Sequence, residues 1–285
     1  MALNAYVTQV QRLLHDAPAQ FWSTAELTTY INAGRTRLVR DTGSYRRLQQ
    51  IYLSTGVEVY PFGGVTGFNV TAGGSGYGAN STVTVASSGV TGGVTATATP
   101  TFTSGVLTSI QVVNNGTLYA AAPAVTITPV GGGSGAAATA YFIHSQTIDV
   151  VNWTVLWGQR RVTNSRWDWT KFNTFARCWV NYLGIPSAFS VYSYNSVYVA
   201  KIPDQTYNVE LDSVMQPPLL VDDTTLEVIP IVMQDPIQYF AAHLAQIKMQ
   251  AWDKSDAMYR RYNLEVLKAI NSSFTRAIKY PYAGS

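Results

Sequence analysis

The chain has 285 residues, 47% of them hydrophobic and 12% charged, and a net charge of +3. A chain of that length can bury a sizeable core and suits two domains, whereas so small a charge argues against a nucleic-acid binder working through bulk electrostatics. The single cysteine, Cys178, excludes an intrachain disulfide framework and a cysteine-rich metal site, and reads as a small buried hydrophobe.

Met1-Ala2-Leu3-Asn4 lacks the basic and apolar regions of a signal peptide. No window approaches the ~18 consecutive apolar residues of a membrane span. A cytosol-like setting, or a particle assembled there, is the expectation. Two helices are predicted in the first ~45 residues. Tyr6, Val10, Leu13 and Leu14 make one apolar face, which Pro18 ends. Ser23-Thr24-Ala25-Glu26 is a capping box that opens the second helix. Leu27, Tyr30, Ile31 and Leu38 form its stripe, with Arg35, Arg37 and Arg40 mostly off it and Gly43 as the stop. From Leu48 to Tyr60 the period becomes alternation, a strand that breaks at Pro61-Phe62-Gly63-Gly64.

Between Glu58 and Asp149 lie 90 residues without an Asp, Glu, Lys or Arg. Inside them runs a gapless internal repeat at an offset of 42: Val70 aligns with Val112, Gly74 with Gly116, Tyr77 with Tyr119, Val83-Thr84 with Val125-Thr126 and Ala96-Thr97-Ala98 with Ala138-Thr139-Ala140. Such a Gly/Ser/Thr/Val segment carries no field with which to activate a substrate. It has what short strands need, β-branched alternation cut by Gly-rich turns. Residues 65–142 are therefore expected to form an inserted all-β domain of two related halves.

At Thr147-Ile148-Asp149-Val150-Val151 the host resumes, with strands predicted at Thr154–Gly158, Ser190–Val199 and Tyr207–Leu211 and a short helix over Asp168–Tyr182. Asp235-Pro236 caps a helix carrying Ile237, Phe240, Leu244, Ile247 and Ala251. A second pattern, Tyr259, Tyr262, Val266, Ile270 and Phe274, runs to about Arg276, ahead of an exposed tail. Residues 254–285 carry six Lys/Arg against two Asp/Glu, hence +4. The expected fold is α+β, with terminal helices forming a helical bundle beside an antiparallel β region and the β domain inserted. The division is 1–64 (host), 65–142 (insert) and 143–285 (host).

Candidate chemistry is sparse. His15, His144 and His243 have no metal-ligand spacing and no nucleophile motif beside them. Asp204 and Asp222-Asp223 could serve a metal or acid–base work, but Asp222-Asp223-Thr224-Thr225 reads as a turn. Gly131-Gly132-Gly133-Ser134-Gly135 lacks the Lys-Ser/Thr of a phosphate loop. Trp153, Trp157, Trp167, Trp169 and Trp179, with Tyr182, Tyr192, Tyr194 and Tyr198, fit a core or subunit interface, and less readily a sugar or single-stranded nucleic-acid platform. No catalytic, cofactor or metal residues are assigned, and no enzyme activity is expected.

The N-terminal part contains, in order, Leu13-Leu14-His15-Asp16, Phe21-Trp22-Ser23-Thr24-Ala25-Glu26-Leu27, Tyr30-Ile31-Asn32-Ala33-Gly34-Arg35 and Asp41-Thr42-Gly43. Trp157-Gly158-Gln159-Arg160-Arg161, Pro203-Asp204-Gln205 and Leu220-Val221-Asp222-Asp223-Thr224-Thr225, leading to Ile229-Pro230, follow. In the order and spacing of these residues the chain resembles, over about 1–60 and 147–278, a head–tail adaptor of short-tailed phages. The insert separately resembles Gly-rich repeat modules of phage structural proteins. The resemblance implies a virion protein at the head–tail junction, assembled in the host cytoplasm. It would form a homo-oligomeric ring, usually of twelve subunits, between the portal protein and a tail nozzle or tube protein. Genomic DNA would pass through its lumen non-specifically, and no membrane is involved. The C-terminal segment would reach the portal, with Arg276, Lys279, Tyr280 and Tyr282 as docking residues. The rival expectation is a carbohydrate-binding surface or attachment protein using the aromatic cluster and the insert.

Overall fold

A computed structural model describes residues 2–16, 20–177 and 182–273. In chain order the helices are α1 (Leu3–Leu13), α2 (Thr24–Thr42), α3 (Trp169–Lys171, continued by a π-helical turn, Phe172–Ala176), α4 (Asp235–Lys248) and α5 (Trp252–Ser273). The first strands are β1 (Arg46–Leu53), β2 (Val59–Pro61), β3 (Val65–Ser75), β4 (Thr82–Val85), β5 (Thr97–Thr103), β6 (Val106–Asn114) and β7 (Val125–Thr128). There follow β8 (Ser134–Phe142), β9 (Thr147–Trp157), β10 (Arg160–Thr163), β11 (Ser165–Arg166), β12 (Ala188–Tyr192), β13 (Ser196–Ala200) and β14 (Tyr207–Met215). The fold is mixed α+β, and the chain divides into a helical unit (1–45 and 216–285) and a β unit (46–215).

In the helical unit, α2 starts where Ser23 Oγ accepts the Glu26 amide at 3.3 Å and ends at Gly43, whose φ of 61° suits a residue without Cβ. The capping box closes on one side only, because the Glu26 carboxylate accepts from Tyr30 and Lys248 instead. Leu27, Ile31 and Leu38 are fully buried, and α2 packs on α4 at Gly34, where a Cβ would stand 3.1 Å from the Ile237 carbonyl oxygen. The buried face of α4 is Ile237, Ala241, Ala242, Ala245 and Gln246, turned from the predicted stripe, so that small residues let neighbouring helices approach. Tyr262, Val266 and Ala269 bury the inner face of α5.

The predicted strand over Leu48–Tyr60 is two strands, because the chain turns at Gly56, with φ 75°, between β1 and β2. Likewise Ser190–Val199 is a hairpin, β12 and β13, rather than one run. Two four-stranded sheets, ordered β1-β14-β9-β10 and β11-β12-β13-β2, share one core. Ile51, Val150, Val155, Val209 and Leu211 enter it from the first, and Tyr60, Phe189, Val197 and Val199 from the second. Trp153 is fully buried there, its ring 6.0 Å from Phe189.

A separate apolar cluster is drawn entirely from 65–142, including Val65, Phe68, Val83, Leu107, Ile110 and Tyr119. Every ladder in this segment joins one repeat to the other: β3 pairs β8, β4 pairs β7 and β5 pairs β6, all antiparallel. Thr84 faces Thr126, its own counterpart, so β4 and β7 meet about a local two-fold. A Gly/Tyr device recurs in both halves. Gly74 (φ 61°) lies against Ser134 and Ala136, and the Tyr77 hydroxyl accepts the Ala136 amide at 3.0 Å. Gly116 (φ 65°) lies against Val94 and Ala96, and the Tyr119 hydroxyl accepts the Ala96 amide at 2.9 Å. The glycines are 42 apart (116 − 74) but the amides 40 (136 − 96). The spatial repeat thus slips by two residues from the sequence repeat between β5 and β8, which keeps side-chain alternation in phase because the strand period is two.

Candidate interaction surfaces

Inside the helical unit, Arg35 is wholly buried, contrary to its placement off the apolar stripe. Its guanidinium forms a fork on Glu227, Nη2–Oε1 2.7 Å and Nε–Oε2 3.0 Å, and its Nη1 donates to Asn32 Oδ1 and to the Pro218 carbonyl. Asn32 clamps the same strand of chain from both sides, accepting the Leu220 amide and donating to the Leu220 carbonyl. Tyr6 donates to Glu227 as well, and burial, reinforced by that carboxylate, raises its pKa well above the usual tyrosine range. An Arg paired with a carboxylate and hydrogen-bonded on all three nitrogens in this way tolerates burial that would be prohibitive alone.

What this network holds is a strap, residues 216–231, which ends in the helical turn at Ile231–Met233. Leu220 and Ile229 point inward, while Leu219 (61% exposed), Val221 (75%), Leu226 (83%) and Ile231 (82%) point out. Asp222 supplies the predicted turn: its Oδ1 accepts from the amides and hydroxyls of Thr224 and Thr225, which lowers its pKa. Four exposed apolar side chains on a segment fixed in place make this strap a candidate contact surface.

The histidines are structural in their surroundings. His144 is buried, and its Nδ1 accepts the Gln146 amide at 3.1 Å; desolvation, then Arg47, depresses its pKa. His243 Nδ1 lies 3.0 Å from the Ser255 carbonyl and 2.8 Å from its Oγ. Among the described residues, no group of three His, Cys, Asp or Glu is placed to hold a metal ion. No helix there is long and apolar enough to cross a membrane. The Gly131–Gly135 run is the β7–β8 turn, with φ of 93°, 84° and 80° at Gly131, Gly132 and Gly135.

The aromatic cluster divides. Trp153 is core, and Trp157 lies at the edge, its ring 5.5 Å from Tyr207. Trp169 meets Tyr192 and Tyr198 at 4.4 and 4.7 Å, with the Arg177 guanidinium 5.6 Å above it. Trp167 lies beneath Lys171 Nζ at 4.7 Å. Beside them is a pocket of 230 Å3 lined by Arg166, Asp168, Trp169, Ser190, Ser193 and Tyr194, among others. Cys178 and Trp179 lie outside the described residues, as do Phe274 and the docking candidates Arg276, Lys279, Tyr280 and Tyr282. The strap and the pocket were missed from sequence because both depend on segments far apart in the chain. No protein-family model and no curated protein matches the chain.

Proposed function

We propose that the chain is a structural subunit of a homo-oligomeric ring joining portal to tail in a short-tailed phage, with DNA passing through its channel. The observation that carries the reading is the strap, whose Leu219, Val221, Leu226 and Ile231 are exposed yet locked by the buried Arg35–Glu227 pair. A lone subunit gains nothing from such a row, whereas a neighbouring copy covers it. In this reading the terminal helices form the bundle that joins neighbours, beside the β region, and 65–142 is a domain inserted into that host. A net charge of +3 suits a channel, since each phosphate contact would add salt-dependent drag.

Electron microscopy and native mass spectrometry of the purified protein test this. Closed rings alone or with the portal are expected, and monomers under both conditions would overturn the reading. Arg276, Lys279, Tyr280 and Tyr282 are the proposed portal anchors, a cationic, Tyr-bearing terminus of the kind that orders on binding. Truncation after Ile278 is expected to leave a folded subunit that no longer binds portal and DNA-filled heads without tails. Full complementation by the truncated form would move the portal contact elsewhere.

A further inference from the structure

The pocket beside the β12–β13 hairpin is built unlike the rest of the surface. Ser190 is 1% exposed, and its hydroxyl has no hydrogen-bond partner although it lines the pocket. A buried hydroxyl without a partner costs on the order of 1–3 kcal/mol, which a ligand group can recover. Asp168 adds a carboxylate to which no hydrogen bond is assigned among the described residues. The opposite charge nearby is already engaged, since Arg166 forks onto Asp149 at 2.8 and 2.9 Å and also donates to the Val150 carbonyl.

The turn above the pocket is a second, independent observation. Ser193 and Tyr194 have φ of 52° and 54°, and the Asn195 amide closes on the Tyr192 carbonyl at 3.2 Å. Both central residues are left-handed, the geometry that selects Asn-Gly or Gly-Gly in two-residue hairpins. Here a bulky aromatic occupies the second position, and its ring is 78% exposed beside the pocket. A strained backbone that presents an open ring is what a binding role would retain.

These groups select the ligand class. An anion meets the Asp168 carboxylate and an Arg166 that is already paired. Arg177 and Lys171 do not line the pocket, but they already lie over the Trp169 and Trp167 rings and disfavour a further cation stacked on them. What remains is a neutral ligand with both donors and acceptors and an apolar face to stack on an aromatic ring. The volume, 230 Å3, is below the ~300–1,000 Å3 of drug-sized sites. We infer that this pocket binds a single sugar unit, its hydroxyls donating to Asp168 and pairing with Ser190 while its face lies on Tyr194. One exposed ring and few polar groups predict millimolar affinity. The pocket is built within the β unit, whereas the strap belongs to the helical unit.

Saturation-transfer NMR on the full chain tests this with methyl β-glucoside, methyl β-galactoside and N-acetylglucosamine, using tetramethylammonium and inorganic phosphate as charged controls. At least one sugar is expected to give saturable transfer. Asp168→Asn and Tyr194→Gly should each weaken it about tenfold or more, whereas Trp157→Phe, away from the pocket, leaves it unchanged. Tyr194→Gly should at the same time raise the melting temperature, which separates lost binding from lost folding. Absence of saturable transfer from every sugar at tens of millimolar would overturn the inference, as would equal binding by the Asp168→Asn and Tyr194→Gly variants. Tighter binding of tetramethylammonium or phosphate than of any sugar would overturn the ligand class.

Discussion

Arg35 and Glu227 are 192 positions apart in the chain and bond as a fork in the helical unit. Replacing Arg35 by Met strands a buried carboxylate and is expected to cost about 3–5 kcal/mol in denaturant unfolding. Arg35→Met combined with Glu227→Met should recover much of that loss, because the desolvation cost leaves with both charges. Periodicity could not find the pair: helical spacing assigns an arginine to solvent, and no local rule links it to Glu227. Tyrosines give a pH signature at this scale. Burial raises the pKa of Tyr6, Tyr60 and Tyr262 above the ordinary value near 10 and pushes Tyr30 up to about 12. The folded state then holds protons that the unfolded state releases. The stability these groups contribute is complete below pH 10 and declines as pH climbs through the ordinary value toward the raised ones. Thermal melts from pH 8 to 11 are expected to show that fall, with a smaller slope in Tyr262→Phe.

At the scale of elements, the repeat carries the clearest lesson. Its existence, its Gly/Tyr positions and its strand content were legible from spacing alone. The exchange of strands between halves was not, because alternation says which face a residue takes and nothing about its partner strand. Since no ladder closes within one half, residues 65–104 made alone should show no strand signal in circular dichroism, whereas 65–142 should fold. Gly116→Ala would place a Cβ 2.6 Å from the Val94 carbonyl oxygen at a φ of 65°. A loss of several kcal/mol, on the order of 2–4, is expected in chemical unfolding of the insert.

For the whole molecule, the composition shift and the change of period pointed to the α+β class; α2 and the start of α4 fell at their predicted bounds, whereas α5 begins at Trp252, ahead of the predicted Tyr259. The strap escaped notice because it lacks regular structure, and an exposed apolar row can be recognised only once its neighbours are placed. If the strap joins copies, Leu226→Asp with Ile231→Lys should yield a folded monomer with unchanged circular dichroism, and light scattering would show the drop in mass. Ile31→Asp makes the contrasting case. It places a charge in the fully buried face of α2 and should cost on the order of 3–5 kcal/mol, losing the fold itself.

One consequence of the insert's pairing is mechanical. Val65 and Phe142, the ends of the repeat-bearing segment, stand opposite each other at the end of the β3–β8 ladder. Backbone pairing continues outward through Gly63, Gly64 and Ile143, so tension along the backbone would act on those bonds first and then peel the ladder inward one pair at a time. Shear, which loads many rungs together and resists far larger forces, never arises in this geometry. Opening residues 65–142 in this way would lengthen the chain by their contour of about 250 Å, and would also break the Tyr52–Tyr141 ring contact and the Ser54–Thr66 and Gln111–Thr55 hydrogen bonds that tie them to β1 and the loop after it.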